Sequence, residues 1–258
     1  TPYVAPKSYF DLYPVKDVVV PKVPSGYLDT LPAPARKSIT RKKDQVNLKD
    51  KLAREAIQAY HASITFAYAQ VGLILDALDE LKLRDDTVVV FTSDHGYHMG
   101  EHGHWQKTTL FDNAARVPLI ISAPGRASGA RTKCLAEMTD LYPTLAELCG
   151  LKAPSGLSGV SLVPALKDAA ATPRTAALTQ YGTGYSIRTA RYRYTEWGKD
   201  GADGNELYDH QADSAELVNL ARRKNSQETI QELSALLKRR VAAAGKPPQG
   251  LKQLPAKR

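Results

Sequence analysis

The residues best suited to chemistry lie in one short segment, directly after a stretch typical of a buried strand. Asp94 and His95 follow Thr87–Thr92, a continuous apolar and β-branched run. Ligands of open α/β sheets bind at the carboxyl ends of the strands, so this pair stands where a site is expected. A carboxylate oxygen and a neutral imidazole nitrogen can together hold a divalent cation. The alternative is an Asp-His-Gly turn in which Asp94 only caps backbone amides.

Glycines and histidines alternate after this pair. The glycines, which predict a tight loop and not a helix, are Gly96, Gly100 and Gly103. The histidines, which could face a pocket or water, are His98, His102 and His104. So dense a cluster could itself bind zinc, but the sequence does not predict the helix that would hold such a site preformed.

Lys107 follows this loop, at what the pattern predicts to be the start of a helix. Its ammonium group could bind the anionic group of a substrate. The alternative is an ordinary solvated lysine.

The elements that must position these residues alternate between helix and strand. Residues 1–47 are predicted to be extended and loop-rich, and Asn47–Leu83 carries the apolar stripe of a long amphipathic helix. A second buried strand is predicted at Val117–Ser122, with a short helix before it and another helix at Asp140–Leu148. This order predicts an α/β layer fold with a mainly parallel sheet.

The pattern changes after about Leu166. Short runs rich in Tyr, Thr and Arg at 175–181, 185–190 and 191–197, followed by 206–209, predict a small antiparallel sheet, and 227–243 predicts a helix. We therefore predict two domains: residues 1–166 as an α/β part, and residues 167–258 as a small α+β subdomain that ends in a disordered tail of a dozen residues.

The composition excludes several classes of protein. The 258 residues, 43% hydrophobic and 24% charged, are those of a globular chain. No run approaches the roughly 18 consecutive apolar residues of a membrane span. Cys134 and Cys149 fit neither a disulfide framework nor a zinc finger. The net charge of +8 favours a polyanionic partner such as a sulfated glycan or nucleic acid, or is simply a soluble basic surface.

The order of these residues resembles the sulfatases of the alkaline phosphatase superfamily over nearly the whole chain. The matching segments are Thr-Ser-Asp-His-Gly at 92–96, Gly-Glu-His-Gly-x-Trp-x-Lys at 100–107, Phe111-Asp112, Arg-Val-Pro-Leu-Ile at 116–120 and Asp-Leu-Tyr-Pro-Thr-Leu at 140–145. The stretch 185–197, Tyr-Ser-Ile-Arg-Thr-Ala-Arg-Tyr-Arg-Tyr-Thr-Glu-Trp, is similar to the iduronate-2-sulfatase subgroup in particular.

The resemblance implies a fold and a set of roles. The fold would be an alkaline-phosphatase-like mixed sheet between helices, followed by the small antiparallel subdomain. Asp94 and His95 would be ligands of Ca²⁺, with Mn²⁺ or Mg²⁺ as alternatives, and Lys107 would contact the sulfate and stabilise the leaving oxygen. Tyr97 and His98 would line the sugar pocket. The matching residues to which we give only hydrogen bonding and packing behind the ligands are Glu101, His102 and Trp105.

The nucleophile of the family is a formylglycine made from Cys or Ser in Cys/Ser-x-Pro-x-Arg, and we expect it outside this chain. Ser122-Ala-Pro-Gly-Arg126 matches the pattern. We reject it because it ends a predicted strand and enters a turn, whereas the family's nucleophile opens a helix. The chain thus resembles the C-terminal part of a sulfatase, with the remaining N-terminal part as its partner, and we expect it to be inactive alone.

The resemblance also implies a sulfated carbohydrate as substrate, no nucleic acid partner, and a periplasmic, extracellular or lysosome-like location. Two other functions stay open. Imidazole suits manganese better than calcium, so His95 allows a phosphonate or phosphodiester hydrolase of the same superfamily. The basic charge allows a non-catalytic module that binds sulfated glycans.

Overall fold

The computed structural model of the protein describes residues 3–126 and 129–246, so the predicted tail lies outside the described residues. The α-helices are α1 (Lys7–Phe10), α2 (Ala33–Thr40), α3 (Asp50–Glu80), α4 (Asp112–Ala115), α5 (Leu141–Leu148), α6 (Val163–Lys167) and α7 (Gln227–Ala244). The strands are β1 (Val89–Thr92), β2 (Leu119–Ser122), β3 (Ala177–Tyr181), β4 (Gly184–Arg188), β5 (Tyr192–Trp197) and β6 (Gly204–Asp209). None of the described helices combines the length and apolarity that crossing a bilayer requires.

The long helix predicted from the apolar stripe is confirmed as α3. Its first half buries Ala53 and Ile57 in a cluster that also contains Met99 and Trp105 of the site loop. Further along α3, large apolar side chains such as Ile74, 64% exposed, have little cover from the described residues. The N-terminal half of α3 therefore supports the site loop directly.

The two strands that flank the site are antiparallel, so the expectation of a mainly parallel arrangement is wrong for this pair. Val89 lies opposite Ser122, and Thr92 opposite Leu119. A parallel pair needs a crossover that carries the chain back along the sheet. The connection at 93–118 contains only two short turns, the 3-10 turn Glu101–Gly103 and α4, and no longer helix that could act as such a crossover, and β2 runs back beside β1. Complete burial of these strands is also not observed, since every residue of β1 is half-buried and Ile120 is 57% exposed.

The small antiparallel sheet predicted after Leu166 is confirmed, with strand order β3-β4-β5-β6. Tyr194 in the middle of β5 lies opposite Ile187 of β4 and Leu207 of β6. These three side chains are buried, and α7 covers them with Leu233 and Leu237. This sheet and its helix therefore have a hydrophobic core of their own.

A second cluster joins this sheet to the N-terminal segment and to the end of the site loop. Its buried members are Tyr27, Leu31, Ala35, Ile39, Leu110, Phe111, Trp197 and Tyr208. Two of them belong to α2, a helix that the sequence analysis missed. This core contains residues from both sides of the proposed domain boundary after Leu166, and α6 runs across that boundary. The division into two domains at this point therefore stays a prediction.

Candidate active site

Asp94, His95 and Lys107 meet at the end of β1. Oδ2 of Asp94 lies 3.3 Å from Nε2 of His95, and Nζ of Lys107 lies 2.6 Å from the same Nε2. The Asp94 side chain is 82% exposed and that of His95 is 35% exposed, so the three groups share an open surface. The structure brings together the three residues that the sequence singled out.

Hydrogen bonds within the turn use one polar atom of each candidate ligand and leave the other, Oδ2 of Asp94 and Nε2 of His95, without a hydrogen-bond partner inside the turn. Oδ1 of Asp94 accepts the backbone N–H of His95 at 3.0 Å, which is the capping turn considered above as the alternative. Nδ1 of His95 lies 2.9 Å from the carbonyl oxygen of Gly96, which assigns the proton to Nδ1 and the lone pair to Nε2. Oδ2 and Nε2 thus form an oxygen and nitrogen pair that fits a divalent cation, and capping does not exclude that role.

The loop between the ligands and Lys107 closes on itself through its backbone. The N–H of His98 donates to the carbonyl oxygen of Gln106 at 2.9 Å, and that of Gly100 donates to His104 at 2.9 Å. Gly100 has a φ of 111°, which favours glycine. This closure returns the chain to His95, so the tight loop is confirmed. Lys107 lies in a bend before α4 and not at a helix start, and that part of the prediction is wrong.

Gly96 lets the turn rest directly on the backbone of α4. Its N–H donates to the carbonyl oxygen of Ala114 at 2.8 Å. A Cβ atom at this position would lie 2.0 Å from the carbonyl oxygen of Asn113, so no other residue fits without movement. The position of α4 therefore sets the position of the neighbouring His95.

The other three histidines of the loop are buried and do not line an open pocket. His98 is fully buried, with Nδ1 3.3 Å from the carbonyl oxygen of Glu101 and Nε2 2.8 Å from Oγ1 of Thr109. Burial, together with the neighbouring histidines, lowers its pKa to about 3. A substrate could reach His98 only if the loop rearranged, so its predicted contact with the sugar has no support in this geometry.

His102 stacks on Phe111, with ring centroids 3.8 Å apart, and its Nδ1 bonds the hydroxyl of Tyr27. Burial lowers its pKa to about 4. His104 bonds the carbonyl oxygen of Ile39 of α2 through Nδ1 at 3.2 Å, and burial lowers its pKa as well. These rings are neutral packing and hydrogen-bonding groups. Within 3–126 and 129–246 they form no three-ligand metal group, so the zinc alternative fails there.

The remaining predicted residues support the loop from inside. Tyr97 is half-buried and stacks on Tyr60 of α3 with ring centroids 5.8 Å apart, and its contact with a substrate stays a prediction. Oε2 of Glu101 accepts the backbone N–H of Met99 at 2.7 Å. Trp105 is buried against α3.

A buried ionic network behind α4 was not predicted from the sequence. Glu216 accepts the backbone N–H of Asp112 at 2.7 Å, Nε of Arg193 at 2.6 Å and Nε2 of His210 at 2.7 Å. Arg193 also bonds the carboxylate of Asp112. The Asp112, His210 and Glu216 side chains lie close enough to hold a metal, but the guanidinium of Arg193 already supplies the positive charge. No local motif predicts this group, because its members come from three separate segments: α4, β5 and the connection after β6.

Ser122 lies where the sequence analysis placed it. It is the last residue of β2 and is exposed, and the chain then turns through Gly125, whose φ is 67°. No helix begins at this serine. The structural context required of the family's nucleophile is therefore missing here.

Comparison with known proteins decides the family. The model described as "Sulfatase" matches residues 19–151, and that described as "N-sulphoglucosamine sulphohydrolase, C-terminal" matches residues 100–243. This chain belongs to the sulfatase family. A sulfatase of Formosa agariphila is 32% identical over 92% of this sulfatase chain and 47% of the relative. Mouse iduronate 2-sulfatase is 31% identical over 76% of this chain and 49% of the relative.

Solved structures agree with this sulfatase fold. A structure in complex with its substrate D-glucosamine-2-N,6-O-disulfate superposes with a TM-score of 0.72 at 27% identity, over 82% of this chain and 46% of that one. The phosphonate monoester hydrolase of Silicibacter pomeroyi superposes with a TM-score of 0.82 at 25% identity, over 93% and 54%. These neighbours confirm the alkaline-phosphatase-like fold class. The sulfatase chain spans about half the length of the curated relatives it matches.

Proposed function

We propose that the complete sulfatase to which this chain belongs hydrolyses sulfate esters at a site that includes Asp94, His95 and Lys107. One observation carries the proposal: in a chain of this family, a carboxylate, an imidazole and an ammonium group converge within hydrogen-bonding or ion-pair distance at the end of a strand. Substrates with an anionic head group would need the cations that this arrangement can offer.

Asp94 and His95 would hold the metal, and Lys107 would hold the sulfate. A bound Ca²⁺, or alternatively Mn²⁺ or Mg²⁺, would add positive charge where negative charge accumulates during transfer of the sulfuryl group. The Nδ1–H of His95, donated to Gly96, keeps the lone pair on Nε2 directed at the site. The ammonium of Lys107 would donate hydrogen bonds to the sulfate oxygens and to the leaving alkoxide oxygen.

The proposed substrate is a sulfated sugar or uronate-containing glycan. Similarity to iduronate 2-sulfatase and to the glucosamine disulfate complex supports this class, and the net charge of +8 suits a polyanion. Such a substrate is met in the periplasmic, extracellular or lysosome-like compartments that we propose for the protein.

The proposal includes an N-terminal part of the sulfatase as partner. That part would supply the formylglycine nucleophile and the other metal ligands, since calcium prefers six to eight oxygens. The exposed apolar face of α3, with Leu73 and Ile74 each 64% exposed, offers a surface for it. We therefore propose that residues 1–258 alone turn over no sulfate ester.

A second candidate function is hydrolysis of a phosphonate monoester or phosphodiester. The similarity to a phosphonate monoester hydrolase, with a TM-score of 0.82, favours it, as does the imidazole of His95. Both anions would use the same metal and lysine, so only a direct comparison of substrates separates the two activities.

The experiment is to produce the complete protein together with a formylglycine-generating enzyme. It is then assayed with an aryl sulfate, sulfated uronate and glucosamine oligosaccharides, a phosphonate monoester and a phosphodiester. Metal-dependent turnover of sulfates with the highest kcat/KM supports the proposal, whereas preference for the phosphorus esters supports the second candidate. If no ester is hydrolysed but the protein is retained on heparin, the sulfated-glycan-binding module is favoured.

A further inference from the structure

The helix beside the candidate ligands depends on a residue from the small C-terminal sheet region. α4 is a single turn with no side-chain cap from its own N-cap residue, and a helix this short is not stable by itself. The backbone N–H of Asp112, its first residue, donates instead to Oε2 of Glu216, 104 positions later. Glu216 therefore holds the start of α4.

Glu216 is itself firmly fixed. Its side chain is 1% exposed, and its second oxygen, Oε1, lies 2.6 Å from Nε of Arg193 and 2.7 Å from Nε2 of His210. Arg193, 3% exposed, also pairs with the carboxylate of Asp112, so it ties both residues together. Burial alone would raise the pKa of Glu216, but Arg193, His210 and the amide of Asp112 outweigh it and hold the pKa at about 2.

The other side of α4 packs against the turn that carries Asp94 and His95, and the contact at Gly96 leaves no space for a side chain. The carbonyl oxygen of Asn113 occupies the space that a Cβ atom of Gly96 would need, and that of Ala114 accepts the Gly96 N–H. Gly96 in turn fixes the His95 ring through its own carbonyl oxygen. A shift of α4 would therefore move the imidazole relative to Asp94.

We propose that Glu216 is a positioning residue for the candidate metal site, acting through Asp112 and α4 on the spacing of Asp94 and His95. The inference rests on the proposed function for the identity of the bound cation. On this proposal the small sheet region contributes to the site. Three of its residues, Arg193 of β5 and His210 and Glu216 after β6, hold α4 against the turn that carries Asp94 and His95.

The test uses the complete protein with Glu216→Gln, which keeps the size of the side chain but replaces one accepting oxygen by an amide that donates. The control is Leu237→Ala, which opens the separate core between α7 and the sheet. Two quantities are measured well below the melting temperature of each variant: affinity for Ca²⁺ alone, by calorimetry, and the exchange rate of the Gly96 amide.

We expect Glu216→Gln to lose about 10- to 100-fold in Ca²⁺ affinity, the range typical of changes to groups that orient metal ligands, and to exchange the Gly96 amide faster. Leu237→Ala should lower the melting temperature and change neither quantity. The proposal is overturned if Glu216→Gln keeps both values, or if Leu237→Ala changes them equally. If Glu216→Gln does not fold, Glu216→Asp, which keeps the charge but shortens its reach, is judged by the same outcomes.

This result is separate from the proposed function. Turnover of sulfate esters by the unmodified protein decides the function and involves no Glu216 variant. If the unmodified protein binds no Ca²⁺, the Gly96 amide exchange alone decides whether Glu216 positions the turn.

Discussion

Nζ of Lys107 lies 2.6 Å from Nε2 of His95, although the two residues are twelve positions apart in the chain. The closed loop between them brings the ammonium back to the turn that carries Asp94 and His95. In the assigned tautomer of His95, the lone pair of Nε2 accepts a hydrogen bond from this ammonium. A single lone pair bonds one partner at a time, so the ammonium of Lys107 and a metal ion would compete for Nε2.

Lys107→Ala should affect turnover and not folding. The side chain is exposed, so its loss removes little packing. Loss of a charged donor to the transition state typically costs about 10² to 10³ in kcat. We expect that loss in the complete sulfatase at an unchanged melting temperature, with Lys246→Ala, an exposed lysine after α7, as control. A near-normal kcat in Lys107→Ala would exclude a catalytic role.

Asp94→Asn should lower metal affinity while keeping the turn. The amide oxygen of Asn can still accept the His95 N–H, but the negative charge is lost. We expect affinity to fall by more than about 10-fold, since even changes to outer groups reach that size. Metal content after gel filtration and turnover are the measurements, and Asp85→Asn, an exposed carboxylate before β1, is the matched control. Equal metal content in both variants would remove Asp94 from the site.

Gly96→Ala should destabilise the fold and disturb the site together. The new methyl group would overlap the carbonyl oxygen of Asn113, and overpacking of this kind typically costs about 1–3 kcal/mol. Gly72→Ala is the control, because it lies inside α3 with no heavy atom within 4 Å of its Cβ position. That change should stabilise by roughly 0.5–1 kcal/mol. Chemical unfolding measures both, and a neutral Gly96→Ala would contradict the close contact.

Stability should decrease as the pH falls from about 6.5 towards 4, because buried histidines must stay neutral in the folded state. Burial lowers the pKa of His102 to about 4, whereas the unfolded chain binds that proton near 6.5. The unfolded state therefore holds more protons in this window, so the free energy of unfolding rises with pH by up to about 1.4 kcal/mol per unit for each such histidine.

His102→Asn tests this dependence, since asparagine tolerates the positive φ of 58° at this position. In urea unfolding between about pH 5 and 7, we expect a shallower slope of free energy against pH in this variant. Leu237→Ala should be less stable at every pH with the slope of the unmodified protein. An unchanged slope in His102→Asn would show that His102 does not stay neutral on folding.

The small antiparallel sheet was predictable because its signals are local. Tyr, Thr and Arg recur in short runs between turns, and the observed β3, β4, β5 and β6 lie within a few residues of the predicted ones. The pairing of β1 with β2 was not predictable in the same way. Both runs read as buried strands, but their direction depends on the path of the loop between them, which no local pattern fixes.

The sequence by itself indicated the family, predicted the long helix α3 and singled out the candidate site residues, since Asp94, His95 and Lys107 stand in a specific order around closely spaced glycines. Only the tertiary structure decided that His98 is buried and that Glu216 holds α4. Burial and long-range ion pairs depend on which distant segments of the chain pack together, and the residue type at one position does not specify those contacts. For this reason the candidate site residues could be proposed from the order and spacing of residues in the sequence. The contacts that support them through α4 and Glu216 became apparent only in the tertiary structure.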